Sequence, residues 1–249
     1  MQNQVHWCKI QAEKRKEEKE EKEEKEKEVK RMLYEILRED PDISTYITRA
    51  DETLIALGYT EHSFAHVCRT AETAATILAE LGYDEHTVDL ARAAGYLHDI
   101  GNLVNRVGHS LHGAIMAFRI LEHKEVPADD IATIVSAIGN HDEGTGVPVN
   151  EVAAALILAD KSDVRRSRVR NRDFSTFDIH DRVNYSVTKS EIKINEAHTE
   201  VTLSLTIDTA ISPVMAYFEI FLERMILCRK AAERLGLQFR LHINGQQLF

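Results

Sequence analysis

His98-Asp99, inside the stretch Gly95-Tyr96-Leu97-His98-Asp99-Ile100-Gly101, sets an imidazole beside a carboxylate at the end of an apolar run. The pair has company. His66 lies upstream, His109 and His112 just downstream, then His141 and Asp160, each in or beside a helix-like segment. Eight of the twelve histidines fall between residues 62 and 141. That clustering carries the argument, because a lone helical His is usually a core or surface residue. His98 and His141 each precede an acid, and Asp160 follows the apolar helix ending Leu158-Ala159. A carboxylate there is costly to bury unless a cation pairs with it. Imidazole plus carboxylate, without thiolate, suits one or two divalent ions such as Mn, Fe, Co, Ni or Zn.

Helices have to position these groups. Thr60 can cap a helix over 61–81, closed by Gly82. Asp84 can cap the next, which runs into His98-Asp99 and stops at Gly101. Helices over 110–123 and 127–140 follow, the second opened by Pro127. Gly144, Gly146 and Pro148 make a loop, and Asn150 caps a helix over 151–164 rich enough in Ala and Leu to be central. The texture then changes. Val183–Val187 and Glu191–Ile194 alternate like a strand, and Val201–Ile207 does so cleanly. Pro213 begins an amphipathic helix to Leu235, and Phe239–Ile243 is a last strand before the turn Asn244-Gly245.

The expected fold is mainly α. A metal-binding helical domain over 41–172 carries a small β-β-α-β appendage over 173–249. Residues 1–40 form a charged helical arm: Glu18–Lys22, Glu21–Lys25, Glu23–Lys27 and Glu26–Lys30 pair at i,i+4. No sustained a/d seam supports a long coiled coil there. From Val29 an apolar stripe (Met32, Leu33, Ile36, Leu37) is set to dock on the body.

Composition narrows the function. A net charge of -10 excludes a general polyanion binder, and 43% hydrophobic residues suffice for a core. Cys8, Cys68 and Cys228 form no C-x-x-C pair and read as thiols in a reducing compartment. No apolar run reaches the roughly 18 residues of a membrane span, and no signal-peptide pattern opens the chain. A cytoplasmic protein is expected.

The chain resembles the HD-domain superfamily of metal-dependent phosphohydrolases over roughly residues 55–165. The resemblance rests on His66-x-x-Arg69, on Leu97-His98-Asp99-Ile100-Gly101 and on Ala159-Asp160-Lys161-Ser162-Asp163. His109-Ser110-Leu111-His112-Gly113-Ala114 is similar to the subset holding two metals. His141-Asp142-Glu143 resembles the His-His-Glu of the cyclic-dinucleotide-cleaving HD-GYP branch. Asp142 replaces its second His, however, and Gly146-Val147-Pro148 replaces the diagnostic Gly-Tyr-Pro. The resemblance implies that His66, His98, Asp99 and Asp160 hold a first ion. Asp99 would bridge to a second on His109 and His141, and a metal-activated hydroxide would cleave a phosphate ester or nucleotide.

Around these ligands, Asp99, Arg69 and Lys161 are the candidate catalytic residues: Arg69 binds substrate phosphate or makes a structural ion pair, and Lys161 is a phosphate or carboxylate partner. His62, one helical turn before His66, is a bracing donor, a substrate contact or plain surface. His112 competes with His109 as ligand, with His109 preferred. Glu143 is an acid or base, or a solvated loop residue. Arg165, Arg166, Arg168, Arg170 and Arg172 form a basic patch after Asp160. Arg165 and Arg166 are its candidates for substrate binding; the competing reading pairs the patch with Asp163, Asp173, Asp178 and Asp181. The expected partner is a small phosphorylated or nucleotide substrate, with no membrane. Nucleic acid is the lesser alternative, and self-association is left open. Two rival functions remain: a di-iron oxygenase of the same superfamily, and a non-catalytic nucleotide or RNA sensor.

Overall fold

The computed structural model describes residues 32–248. The charged pairs expected over 11–30, and Val29, lie outside the described residues. Leu37 is buried and Leu33 packs against the core, as the stripe predicts.

Seven helices build the body. They are α1 (Leu33–Arg38), α2 (Pro41–Ala56), α3 (Phe64–Glu80), α4 (Glu85–Leu97), α5 (His109–His123), α6 (Ala128–Gly139) and α7 (Glu151–Ser162). The central one is α7: every side chain from Val152 to Ser162 is buried, and it packs on α3, α4 and α6. Asn150 caps it, accepting from the Ala153 N–H at 2.7 Å, and Asp84 caps α4 through the Thr87 N–H at 3.0 Å. The start of α3 differs from expectation. Ser63, not Thr60, is its cap, accepting from the Ala65 N–H. Residues 59–62 are thereby left as loop, where the His62 Nδ1 donates to the Thr60 carbonyl at 2.7 Å. Likewise α4 stops at Leu97, and Ile100–Leu103 forms a separate 3-10 turn.

The second part comprises α8 (Ile179–Ser186), β1 (Val187–Ile194), β2 (Glu200–Ile207), α9 (Val214–Arg234), β3 (Gln238–Ile243) and β4 (Gln246–Gln247). Sheet order is β1-β2-β3-β4; β1 runs antiparallel to β2, and β3 runs parallel to it after the α9 crossover. Val201, Leu203, Leu205 and Ile207 alternate inward, with Phe239, Leu241 and Ile243 beside them against α9. Each such side chain contributes roughly 1.5–3 kcal/mol by leaving water. The strand expected from Val183 begins at Val187. Residues 183–186 are helical because Asp178 caps α8 through the Asp181 N–H, and Ile179 and Val183 also fit helical spacing. The long α9 packs on α7 as well as on the sheet, so it reaches the centre of the body. No described helix is long and apolar enough to cross a membrane.

Two glycines fix where the His-Asp turn sits. A Cβ on Gly95 would lie 2.6 Å from the Ala71 Cα, so α4 can press onto α3 only without a side chain there. A Cβ on Gly101 would meet the His109 carbonyl at 2.0 Å. The turn after Asp99 is thus seated against the first residue of α5.

Candidate metal centre and cavity

The spacing of ligands along the chain becomes convergence in space. His66 comes from α3, His98 from the end of α4, Asp99 from the turn after it, His109 from the start of α5, His141 from just past α6, and Asp160 from the last turn of α7. The His66 and His98 Nε2 atoms are 3.2 Å apart, and so are those of His109 and His141. Asp160 Oδ1 lies 3.2 Å from the His66 Nε2 and 3.7 Å from that of His98. Asp99 Oδ2 is 3.5 Å from the His66 Nε2 and 3.4 Å from that of His98, while its Oδ1 faces the His109 Nε2 at 3.7 Å. All six side chains are buried or nearly so.

Which ring nitrogen carries the proton follows from the opposite edges. The Nδ1 atoms of His98, His109 and His141 meet the carbonyls of Gly95 (2.8 Å), Arg106 (3.1 Å) and Ile138 (2.6 Å). The His66 Nδ1 meets Asp163 Oδ2 at 2.8 Å. Each of these partners only accepts, so Nδ1 holds the hydrogen and the Nε2 lone pairs point inward. Four lone pairs and two carboxylates therefore face one another with no donor among them. Asp99 Oδ2 is buried and meets no hydrogen-bond donor among the described residues. The arrangement fits a cation and little else. Two overlapping sets, His66–His98–Asp160 and His98–Asp99–His141, each bring ligand atoms within 4.8 Å of one another.

Electrostatics agree. Burial pushes the Asp99 and Asp160 carboxyls up, but His98 beside Asp99, and Lys161 beside Asp160, hold both well below the usual range. Burial keeps His62, His109 and His141 below the ordinary imidazole value, which for His109 and His141 is the neutral form that ligates. It pulls on His98 too, yet Asp99 and Asp160 outweigh it and raise that group. Those are the carboxylates that a cation would neutralise.

Above this cluster opens a cavity of about 420 Å³. Asp99, His109, His141, Asp160 and Lys161 form its floor; His62, Arg106, Arg168 and Tyr59 border it, and Asp178, Asp181, Asn184, Phe221 and Arg224 reach it from α8 and α9.

Residues 63–182 match the model of the HD domain. This chain carries an HD domain. It shares 29% identity over 189 residues with an uncharacterized protein of Methanocaldococcus jannaschii, covering 66% of this chain and 72% of that protein. Over 119 residues it is 31% identical to ribonuclease Y of Campylobacter jejuni and 29% identical to that of Fervidobacterium nodosum. Those matches cover 48% of this chain but 21% of each ribonuclease. The HD-domain match and the similarity to ribonuclease Y support a metal-dependent phosphohydrolase family.

Within the HD domain, the structure sorts the sequence candidates. His62 and Lys161 reach the cavity. Of the competing pair, His109 faces the cluster, while His112 lies against Gly108 with its Nδ1 buried and unpartnered among the described residues. Arg69 does not line the cavity; its Nε meets Asp163 Oδ1 at 3.2 Å, and the side chain borders a separate groove beside β1. Glu143 is no free acid or base. Lys161 (3.1 Å) and Arg224 bind it and drive its carboxyl far below the usual range against the effect of burial. Arg165 is taken by Asp163 and Glu61, and Arg166 lies over the Tyr185 ring and donates to the Tyr185 carbonyl. Arg170 pairs with Asp51. The run is thus largely structural, though its partners include Asp51, Glu61 and Asp208 and not Asp173, Asp178 or Asp181.

Other residues escaped the sequence reading. Asn102 donates to Asp99 Oδ1 at 2.8 Å, and Arg106, Phe221 and Arg224 help to wall the cavity; Arg168, known only as a member of the basic patch, lines it too, and Asp163, known only from a motif and as an arginine partner, orients His66. Asn102 and Arg106 could have been found one and two helical turns past His98. Nothing in α9 announces Arg224.

Proposed function

We propose that the chain hydrolyses a small phosphorylated or nucleotide substrate with the help of two divalent ions. One set of ligands would be His66, His98, Asp99 and Asp160, the other Asp99, His109 and His141. The observation carrying this reading is the convergence of four imidazole lone pairs and two ionised carboxylates beneath a cavity walled by Lys161, Arg106, Arg168 and Arg224. When bound, the ions supply neutralising charge and a water acidic enough to attack near neutral pH. The chain's own groups do the rest. Asn102 fixes the Asp99 carboxylate so that its two oxygens face the two pairs of imidazoles. Lys161, held charged by Asp160 and Glu143, keeps a positive head at the floor where phosphoryl oxygens gather charge. His62, protonated on Nδ1, keeps Nε2 as an acceptor for a substrate hydroxyl.

A volume of about 420 Å³ suits a mononucleotide-sized ligand better than a polymer. The similarity to ribonuclease Y favours a second reading, a terminal phosphodiester of RNA of which only the end nucleotide enters. Phosphate release and diester cleavage, assayed across monoesters, mononucleotides and short RNA under Mn, Fe, Co, Ni and Zn, test both. Hydrolysis of small monoesters supports the first reading, and cleavage restricted to RNA ends supports the second. Inactivity on every ester, with oxygen consumed by the iron-loaded protein, defeats both.

A further inference from the structure

The basic side chains around the cavity are not equivalent. Lys161 and Arg224 share the Glu143 carboxylate, and Arg165 is bound by Asp163 and Glu61. Arg168 is different. It is 4% exposed, lines the cavity, and makes its two hydrogen bonds to neutral carbonyls: Nε to Glu61 at 2.9 Å and Nη1 to Asp163 at 2.7 Å. The carboxylate oxygen nearest to it, Asp163 Oδ2, stands 3.8 Å away and already accepts from His66. A guanidinium has five N–H groups, so donors remain beyond these two bonds. Arg165 and Arg224 are held above their ordinary value by their carboxylates, whereas burial leaves Arg168 below its own. The fold has taken this charge out of water against one carboxylate at 3.8 Å that is shared with His66, and an arriving anion would complete its pairing.

We propose that Arg168 anchors the phosphoryl group of the substrate, and that this substrate is a phosphomonoester. The inference rests on the phosphohydrolase reading above. A monoester dianion matches a desolvated guanidinium beside a second weakly compensated cation, Arg106, which among the described residues meets the neutral Asn102 side chain at 3.2 Å and the Tyr59 ring at 5.7 Å. A diester brings a single charge, and its second arm must also fit the same cavity. Arg168 would then act on binding more than on turnover, because the anchored charge is present in both ground and transition states.

The alternative is a strap: the Arg168 backbone carbonyl accepts from the Glu61 N–H at 2.8 Å, and the side chain binds the Glu61 carbonyl. Binding of inorganic phosphate to the full Mn-loaded chain, followed by calorimetry, separates the two. Arg168→Lys keeps the charge but loses the fork. It should weaken phosphate binding about 10- to 100-fold and raise KM, with kcat, metal content and Tm close to wild type. The Arg165→Gln/Arg166→Gln double variant should bind phosphate normally. Wild-type phosphate affinity in Arg168→Lys overturns the proposal, whatever its Tm. Should Arg168→Lys fail to fold, the wild type carries the test. Phenylglyoxal modification, mapped by peptide mass with and without phosphate, should show protection at Arg168; protection confined to Arg106 or Arg224 overturns it. A wild type that cleaves only diesters removes the monoester assignment and leaves the hydrolase reading standing. One that neither binds phosphate nor cleaves any ester removes both.

Discussion

The two ends of the ligand cluster are braced differently. His66 is held by the Asp163 carboxylate, and Asp160 beside it by the Lys161 ammonium. Among the described residues, the Nδ1 atoms of His109 and His141 are held by the Arg106 and Ile138 carbonyls. A carboxylate behind an imidazole makes it a stronger ligand and fixes its ring, and such outer partners are worth about 10–100-fold in metal affinity. A carbonyl orients the ring and adds less basicity. The His66 end should therefore hold its ion tightly, while the His109–His141 end, which also borders the cavity, should exchange more readily. The lesson is that the cluster's symmetry in ligand type hides an asymmetry in what stands behind the ligands.

The largest test of that picture is Asp99, which faces both ends. Asp99→Ala should abolish hydrolysis almost completely, measured as phosphate released at saturating substrate; activity within about tenfold of wild type would mean that Asp99 couples nothing. Next comes the brace. Asp163→Asn should weaken metal binding about 10–100-fold in a competition with a chromophoric chelator, and an unchanged affinity would erase the distinction between the ends. His141→Gln should act more gently, lowering the bound metal from about two ions per chain to about one. Loss of all metal in that variant would show that the His66 end cannot stand alone.

The smallest effect serves as a control far from the site. Asp40 caps α2 and meets Lys124. Burial pushes its carboxyl up, but the Lys124 bond and the Ile43 and Asp42 N–H groups outweigh it, so its value falls below 3.8. A lowered carboxyl adds stability that is present above the unfolded value and is lost as pH falls through the folded one. Lys124→Met should cost about 0.5–1 kcal/mol at pH 7 in denaturant unfolding and less below pH 3.8, with metal content untouched. Metal loss in this variant would mean that ligation merely follows global stability.

Much of this was legible in the sequence because ligands obey local rules. A His or Asp at a helix end is visible from caps, glycines and apolar periodicity, and all six candidate ligands converge. Choosing His109 over His112 was harder, since the two differ by less than one helical turn. What faces the cavity from far along the chain was not legible. Arg224 arrives because α9 packs on α7, a tertiary fact with no local signature. The arginine run misled for a related reason: charge density marks a patch, but only geometry shows which member faces the cavity. Arg165 and Arg166 stood nearest in sequence and are occupied elsewhere, while Arg168 turns inward. The expected strand at Val183 failed because β-branched alternation and helical i,i+4 spacing coexist there, and the Asp178 cap decided for the helix.

Anomalous diffraction from crystals of protein purified without added metal, collected above and below the edges of Mn, Fe, Co, Ni and Zn, tests the central claim most directly. The account predicts two peaks flanking Asp99, one about 2.0–2.2 Å from the Nε2 atoms of His66 and His98 and an oxygen of Asp160, the other at similar distance from His109 and His141. The first peak should be the fuller. No anomalous density among these six side chains, in protein that is nevertheless active, would contradict it.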